Sequence, residues 1–233
     1  MLIRIVAEIG VNWDGDLEVV KDMMQSSKDV GCNYVKFQAF NEDVIKEHPE
    51  KERLMKATIT SKNIEEINSI SKLVGIEWFC TPMYEEAVDF LDPYVNRYKI
   101  RVADGRSLIT NKPSKLVNRV LDTRKEVIVS AESNPTQSIQ YDNSDIKWLY
   151  CVSKYPCTFE DLDFENMSDF YGYSNHCPDI LAPITAAILG AELIEIHITS
   201  DKTKKFIDNN VSFDYLELEK LVESIRKIER MKI

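Results

Sequence analysis

Leu193-Ile194-Glu195-Ile196-His197 is a short apolar run that ends on a histidine, and runs of this kind recur along the chain. Gly172-Tyr173-Ser174-Asn175-His176 also ends on a histidine, while Tyr34-Val35-Lys36-Phe37-Gln38 and Arg97-Tyr98-Lys99-Ile100 each carry a lysine near the end. Such short apolar runs predict β-strands buried on both faces, as in a parallel sheet. Because the chain contains only three histidines, two of them at strand ends indicate a functional position.

Eight predicted strands alternate with amphipathic helical segments. The strands are predicted at Ile3–Ile9, Tyr34–Gln38, Glu77–Cys80, Arg97–Ile100, Val127–Ser130, Trp148–Val152, Tyr171–Ser174 and Leu193–Thr199. The helices are predicted at Leu17–Val30, Asn63–Val74, Glu85–Leu91, Pro113–Leu121, Leu162–Phe170, Ile180–Leu189 and Tyr215–Arg230. The connection Asn134–Asn143 has a weak pattern, typical of a turn or a poorly formed helix. The long, charged connection Asn41–Lys62 predicts a mobile cover over the end of the second strand.

This alternation predicts an α/β protein, a single-domain (β/α)8 TIM barrel over residues 1–233. Eight strand–helix repeats in a chain of this length match that barrel, and no linker rich in Pro, Gly or Ser divides the sequence. A doubly wound open sheet is the competing architecture. It is disfavoured because the segment after the first strand, Gly10-Val11-Asn12-Trp13-Asp14-Gly15, lacks the Gly-x-Gly-x-x-Gly pattern of a dinucleotide-binding turn.

Composition argues against several classes of protein. The chain is 44% hydrophobic and 29% charged, which is typical of a soluble globular protein. Its 29 Lys+Arg against 39 Asp+Glu give a formal charge of −10, which disfavours a nucleic-acid partner because phosphates need a basic surface. The longest apolar stretch, Ile180–Ala191, is too short to cross a membrane. Five cysteines without Cys-x-x-Cys spacing predict reduced thiols in a cytoplasmic protein.

In such a barrel, the active site lies where the strands pass into the following loops. The polar residues and cysteine predicted at or just past strand ends are Glu8, Lys36, Gln38, Cys80, Thr81, Lys99, Ser130, Ser153, Ser174, His176, Glu195 and His197. Lysines with hydroxyls suit a phosphate or carboxylate, and imidazoles suit a divalent metal. Taken singly, each has an ordinary reading: a histidine in the core, a lysine reaching solvent, a serine in a turn. Cys80 and Cys151 are interpreted as core residues and His48 as a solvated loop residue, and two imidazoles alone do not specify a metal.

The chain resembles the sialic acid synthases, the family of N-acetylneuraminate, legionaminate and pseudaminate synthases. Seven short segments in the family's order carry the resemblance: Ala7–Asn12 with Gly15-Asp16, Val35–Gln38, Phe79–Pro82, Tyr98–Ile100, Cys151–Pro156, Gly172–His176 and Glu195–Thr199. Each segment is weak alone, but together they extend over most of the chain. The resemblance implies that phosphoenolpyruvate condenses with the aldehyde of an open-chain aldose, such as N-acetylmannosamine, to give a nonulosonic acid and phosphate.

The resemblance also implies roles for individual residues. Phosphoenolpyruvate would be held by Lys36, Thr81, Lys99, Ser130, Ser153 and Ser174. His176 and His197 would bind a divalent metal, manganese or magnesium, and Glu8 would assist proton handling or substrate orientation. The sugar would be contacted by Gln38, Tyr155, Glu195 and Asp208. We expect Glu8, the two lysines and the two histidines to be the catalytic group.

Other positions differ from the family pattern, which leaves alternatives open. Val102 stands where a serine is usual, and Trp13 where a histidine is usual. The sequence stops at Ile233, where family members continue into a C-terminal antifreeze-like domain that lends an arginine to the neighbouring subunit's sugar site. We therefore expect either that the sugar-binding part of the site is altered or that a separate antifreeze-like protein is a partner. A homodimer that forms through barrel surfaces is also left open. The alternative functions are a lyase or aldolase acting on another keto acid, which includes a Schiff base on either lysine, and a catalytically silent barrel that binds a sugar phosphate.

Overall fold

Eight parallel strands close into one barrel in the computed structural model, which describes residues 2–231. Each strand pairs with the next along the chain, and β8 pairs with β1. The strands are β1 (Arg4–Gly10), β2 (Tyr34–Ala39), β3 (Glu77–Pro82), β4 (Arg97–Ile100), β5 (Glu126–Ala131), β6 (Ile146–Tyr150), β7 (Gly172–Asn175) and β8 (Leu193–His197). The predicted (β/α)8 fold is confirmed, and each strand lies within a few residues of its predicted position.

Helices cover the outside of the barrel. They are α1 (Leu17–Asp29), α2 (Lys51–Leu54), α3 (Ile64–Val74), α4 (Glu85–Leu91), α5 (Val102–Ile109), α6 (Lys115–Leu121), α7 (Leu181–Ile188) and α8 (Tyr215–Ile228). The Asp16 side chain caps the start of α1, and Asp214 with Glu217 forms a capping box on α8, as expected for acidic groups near free backbone N–H groups. No helix among the described residues is both long and apolar enough to cross a membrane.

The helix predicted at Leu162–Phe170 is wrong. The segment holds one short 3-10 turn at Met167–Asp169, and another precedes it at Phe159–Asp161. The Asp163 carboxylate accepts the backbone N–H of Glu165, and the backbone N–H of Asp163 donates to the Tyr150 hydroxyl. Local hydrogen bonds of this kind compete with helical ones, which explains the failure. The weak connection Asn134–Asn143 likewise holds only a 3-10 turn, at Pro135–Gln137.

Helix α5 was not predicted, because Gly105 near its middle interrupts the apolar pattern. The structure gives the reason for that glycine. A Cβ atom there would lie 2.7 Å from the carbonyl oxygen of Ser130 on β5. The helix can therefore pack directly on the strand that carries Ser130 only because residue 105 has no side chain. This close packing places the start of α5, at Val102, beside the mouth of the barrel.

Candidate active site

A cavity of about 760 Å³ opens at the carboxyl ends of the strands. All thirteen residues singled out as site residues line it: Glu8, Lys36, Gln38, Thr81, Lys99, Ser130, Ser153, Tyr155, Ser174, His176, Glu195, His197 and Asp208. They come from all eight strands or the loops that follow them. The shared location agrees with the strand-end argument, while the role of each residue stays a prediction.

The floor of the cavity is a buried cluster of two carboxylates and two ammonium groups. Lys36 Nζ lies 2.9 Å from Glu8 Oε1 and 3.6 Å from Glu195 Oε1, and Lys99 Nζ lies 3.4 Å from the same Glu195 oxygen. None of the four residues is more than 4% exposed. We call this cluster the charged floor. Its formal charge sums to zero, and the two acids and two lysines that were predicted at one mouth are paired with each other.

The charged floor changes the proton affinity of its members in different directions. Burial alone would lower the pKa of Lys36, but Glu195 and Glu8 raise it above its ordinary value. For Lys99 burial outweighs the attraction of Glu195, and its pKa is lowered. Burial would raise the pKa of Glu195, but Lys36 and Lys99 hold it down at about 2. Lys36 is therefore firmly cationic, while Lys99 loses its proton more readily than an exposed lysine.

Two hydroxyls lie directly beside these ammonium groups. Lys36 Nζ donates to Thr81 Oγ1 at 3.2 Å, and Lys99 Nζ donates to Ser130 Oγ at 2.7 Å. A third hydroxyl, Ser174 Oγ, donates to Glu195 Oε1 at 2.9 Å. An ammonium group next to a hydroxyl can donate two hydrogen bonds to one phosphate or carboxylate group. The floor thus holds two such pairs, both facing the cavity.

Ser153 differs from the other predicted anion ligands. Its backbone N–H and its hydroxyl both donate to the Glu132 carboxylate, which also pairs with Arg106 at 2.9 Å. Ser153 is exposed at the rim of the cavity. Its hydroxyl is already engaged, so it would have to leave Glu132 before it could donate to a ligand. Sequence reasoning missed Glu132, because nothing in the sequence shows that it meets Ser153.

The two histidines face each other across one side of the cavity. Their ring centroids are 5.5 Å apart, and the Tyr155 ring packs edge-on against both at 4.8 and 5.6 Å. His176 Nδ1 lies 2.7 Å from the Val152 carbonyl oxygen. His197 Nδ1 lies 3.4 Å from the Tyr155 hydroxyl and 3.5 Å from Asp208 Oδ2. Both Nδ1 atoms are thus engaged by neighbouring oxygens, which leaves Nε2 of each ring as the atom that could bind a ligand.

This arrangement fits a divalent metal held by few protein ligands. A ring N–H held by a carbonyl or carboxylate oxygen is the usual second interaction of a metal-bound imidazole. Among residues 2–231 no three His, Cys, Asp or Glu side chains are grouped as a metal cluster. A metal at His176 and His197 would thus need oxygens of substrate and water to complete its ligands.

Several residues at the cavity were not predicted there. Cys151 lines the cavity, with Sγ 3.8 Å from His176 Nδ1, so its interpretation as a plain core residue was incomplete. Residues 43–49 form part of the rim, which agrees with the predicted position of the Asn41–Lys62 connection over the end of β2. They include His48, which is exposed as predicted but borders the cavity. The length of the Asn41–Lys62 connection was the signal for this cover. An ion pair of 2.6 Å between Arg53 and Asp14 fastens α2 to the loop after β1.

Comparisons with known proteins agree with this picture. A family model described as the NeuB family matches residues 23–232. An uncharacterized protein of Methanocaldococcus jannaschii is 31% identical over 97% of this chain and 71% of its own length. The N,N'-diacetyllegionaminic acid synthase of Legionella pneumophila is 31% identical over 97% of this chain and 72% of its own. The crystal structure of an N-acetylneuraminic acid (sialic acid) synthetase from Leptospira borgpetersenii, in complex with citrate, matches with a TM-score of 0.86 and 28% identity. That match covers 99% of this chain and 85% of the other.

Proposed function

Because this chain belongs to the NeuB family, we propose that it condenses phosphoenolpyruvate with an open-chain aldose and one water molecule, giving a nonulosonic acid and phosphate. Relatives named as synthases of legionaminic acid and sialic acid support a condensation of this general kind. One observation carries the proposal for this chain: two ammonium–hydroxyl pairs and two histidines face the same cavity.

The ammonium–hydroxyl pairs are the proposed ligands of phosphoenolpyruvate. That molecule carries a phosphate and a carboxylate, and the pairs Lys36–Thr81 and Lys99–Ser130 offer one donor set for each. The carboxylates of the charged floor keep both ammonium groups in place before the substrate arrives. Such donors are preorganised and need no rearrangement as the reaction proceeds. Preorganised donors are the main way in which enzymes stabilise the charge that develops in a transition state.

His176 and His197 are the proposed ligands of manganese or magnesium. When bound, the metal would act as a Lewis acid that polarises the aldehyde of the acceptor or positions the attacking water. The remaining chemistry belongs to the chain itself. Tyr155 and Asp208 orient His197, and they lie on the side of the cavity where the sugar would be held together with Gln38.

Glu8 is the proposed group for proton handling. Its Oε1 accepts from Gln38 Nε2 at 2.9 Å and pairs with Lys36, while Oε2 is buried and has no hydrogen-bond partner among the described residues. A buried carboxylate oxygen without a partner is costly, so it is expected to gain one when substrate or water enters. That oxygen could accept a proton from the water molecule that adds to carbon 2 of phosphoenolpyruvate, the carbon that carries the phosphate.

The test is release of phosphate from phosphoenolpyruvate by the purified chain with manganese and a panel of plain and N-acetylated aldoses. We expect release that depends on both substrates, and a product one three-carbon unit longer than the aldose by mass spectrometry. Lys99→Met should abolish release, whereas Lys115→Met, an exposed lysine on α6, should not. Binding of phosphoenolpyruvate without release for any aldose would contradict the proposal and favour a silent barrel. Pyruvate formed from a nonulosonic acid would favour a lyase.

A further inference from the structure

Two cysteines lie side by side on neighbouring loops at the mouth of the barrel. The backbone N–H of Cys157, in the loop after β6, donates to the carbonyl oxygen of His176 at 3.1 Å. That carbonyl belongs to the peptide unit that joins His176 to Cys177, so the two cysteines lie on either side of one hydrogen bond. Residues related in this way have Cα atoms roughly 5–6 Å apart. A disulfide spans Cα separations of roughly 4.4–6.8 Å without movement of the backbone.

The two cysteines bracket the connection between β6 and β7. Residues 158–171 contain only short 3-10 turns, so the packing of a regular helix does not fix this connection. Tyr155 precedes Cys157 by two residues, and His176 directly precedes Cys177. A link between the cysteines would therefore tie together the two loops that bring Tyr155 and His176 to the cavity.

We propose that Cys157 and Cys177 are a modification site, at which a peroxide converts the two thiols into a disulfide that joins the β6 loop to the β7 loop. One thiol sulfur attacks a peroxide oxygen, the O–O bond breaks, and a sulfenic acid forms with release of water. The second thiol sulfur then displaces the hydroxyl of the sulfenic acid, so that the S–S bond forms and a second water leaves. Two thiols and one hydrogen peroxide thus give one disulfide and two waters.

The surroundings of the pair favour a small oxidant and a slow reaction. Cys157 is 1% exposed and Cys177 is 2% exposed, but the adjoining residues Thr158 and Pro178 are exposed, so the thiols lie just below the surface. Burial and the nearby Cys177 thiol raise the pKa of Cys157 to about 12, and burial raises the pKa of Cys177. Because the thiolate is the nucleophile, both groups react slowly. The site therefore responds to sustained exposure to a peroxide, and it does so independently of the proposed condensation.

The test treats the purified chain with hydrogen peroxide for hours, removes the peroxide with catalase, and counts the thiols after denaturation. All five cysteines are free in the structure, so we expect five thiols before treatment and three after it. Dithiothreitol should restore five, because it reduces a disulfide. Closing a loop of about 20 residues should also raise the Tm by roughly 6–12 °C.

Peptide mapping identifies the linked pair. Cys151 is the competing partner, since its Sγ lies 3.8 Å from His176 Nδ1. An unreduced digest cut after Lys154 and Glu160 separates all three cysteines. We expect one linked species, containing Cys157 and Cys177.

Serine variants localise the effect. Cys157→Ser and Cys177→Ser should each lose both the linked peptide and the rise in Tm. Cys32→Ser is the matched control, because Cys32 is a buried cysteine in the turn before β2 and should leave both unchanged. The thiol count and the map of the wild type need no variant, so they decide the matter if a variant does not fold. Five thiols after treatment, a link that contains Cys151, or a rise in Tm that persists in folded Cys157→Ser would overturn the proposal.

Discussion

Replacing Glu195 with glutamine tests the charged floor directly. Glutamine keeps the shape of the side chain and can still accept the Ser174 hydroxyl hydrogen bond, but it removes the carboxylate that pairs with Lys36 and Lys99. Lys36 would then keep its ion pair with Glu8, while Lys99 would lose the carboxylate with which it pairs. We therefore expect Glu195→Gln to lower the free energy of unfolding at neutral pH.

The magnitude follows from the position of the Glu195 pKa. Its pKa is held at about 2 against an ordinary value of 4.5, and a shift of that size corresponds to roughly 3 kcal/mol of stability. Breaking a buried ion pair by removing one partner typically costs about 3–5 kcal/mol, which agrees. Because the folded-state pKa is depressed, this contribution is complete above pH 4.5 and is lost as the pH falls towards 2.

The assay is urea denaturation of the wild type and Glu195→Gln at pH 7 and at pH 3, with the exposed Glu219→Gln as control. We expect a loss of about 3 kcal/mol at pH 7, a smaller loss at pH 3, and little change in the control. The same variant should bind inorganic phosphate on the order of tenfold more tightly, because the floor gains a net positive charge. Equal stability of Glu195→Gln and the control at pH 7 would refute the reasoning.

Three further predictions address the metal, the substrate and the fold. The double variant His176→Ala/His197→Ala should lose calorimetric binding of manganese, and unchanged affinity would show that the histidines are not the ligands. The affinity for phosphoenolpyruvate should fall as the pH rises through a range below the ordinary lysine pKa of 10.5, because Lys99 has a lowered pKa and must be charged to bind the anion. Lys99→Arg should remove this decline at alkaline pH. A decline that persists in Lys99→Arg would contradict the assignment of Lys99 as an anion ligand. Gly105→Ala should cost about 1–3 kcal/mol in thermal or urea unfolding, because its Cβ would meet the Ser130 carbonyl 2.7 Å away; an unchanged midpoint would show that α5 does not need the close approach.

The barrel and most residues that line its cavity could be predicted from local sequence, whereas Tyr155 and Asp208 were placed there only by the family resemblance. Apolar runs give the strands, and in a parallel barrel the ends of all strands meet at one mouth, so Lys36 and His197 are brought together without any knowledge of side-chain contacts. Helix α5 could not be predicted, because Gly105 reads as a helix breaker until the close strand behind it is known. The helix prediction at Leu162–Phe170 failed for a related reason. Hydrogen-bond partners of this segment, including the Tyr150 hydroxyl, lie outside the stretch of sequence from which the helix was predicted.

The electrostatics of the site lay beyond sequence reasoning. The two lysines and two acids were predicted at one mouth, but their pairing was not: Lys36 and Lys99 each lie within 4 Å of a buried carboxylate. Those pairings join β1, β2, β4 and β8, and the distance between side chains on separate strands depends on barrel closure and register. Ser153 shows the same effect, since its engagement by Glu132 arises from a contact between two loops.

The balance of the charged floor also limits how this sequence can diverge. Losing Glu195 leaves Lys99 without its ion pair, and losing Lys36 leaves Glu8 without its own, each at a cost of about 3–5 kcal/mol in a protein whose total stability is on the order of 5–15 kcal/mol. A lineage that changes Glu195 or Lys36 alone therefore gives up a large part of its stability, unless a second member of opposite sign changes with it. Across relatives, Glu8, Lys36, Lys99 and Glu195 should be inherited together or exchanged as neutral pairs, whereas the rim of residues 43–49 is free to drift one position at a time.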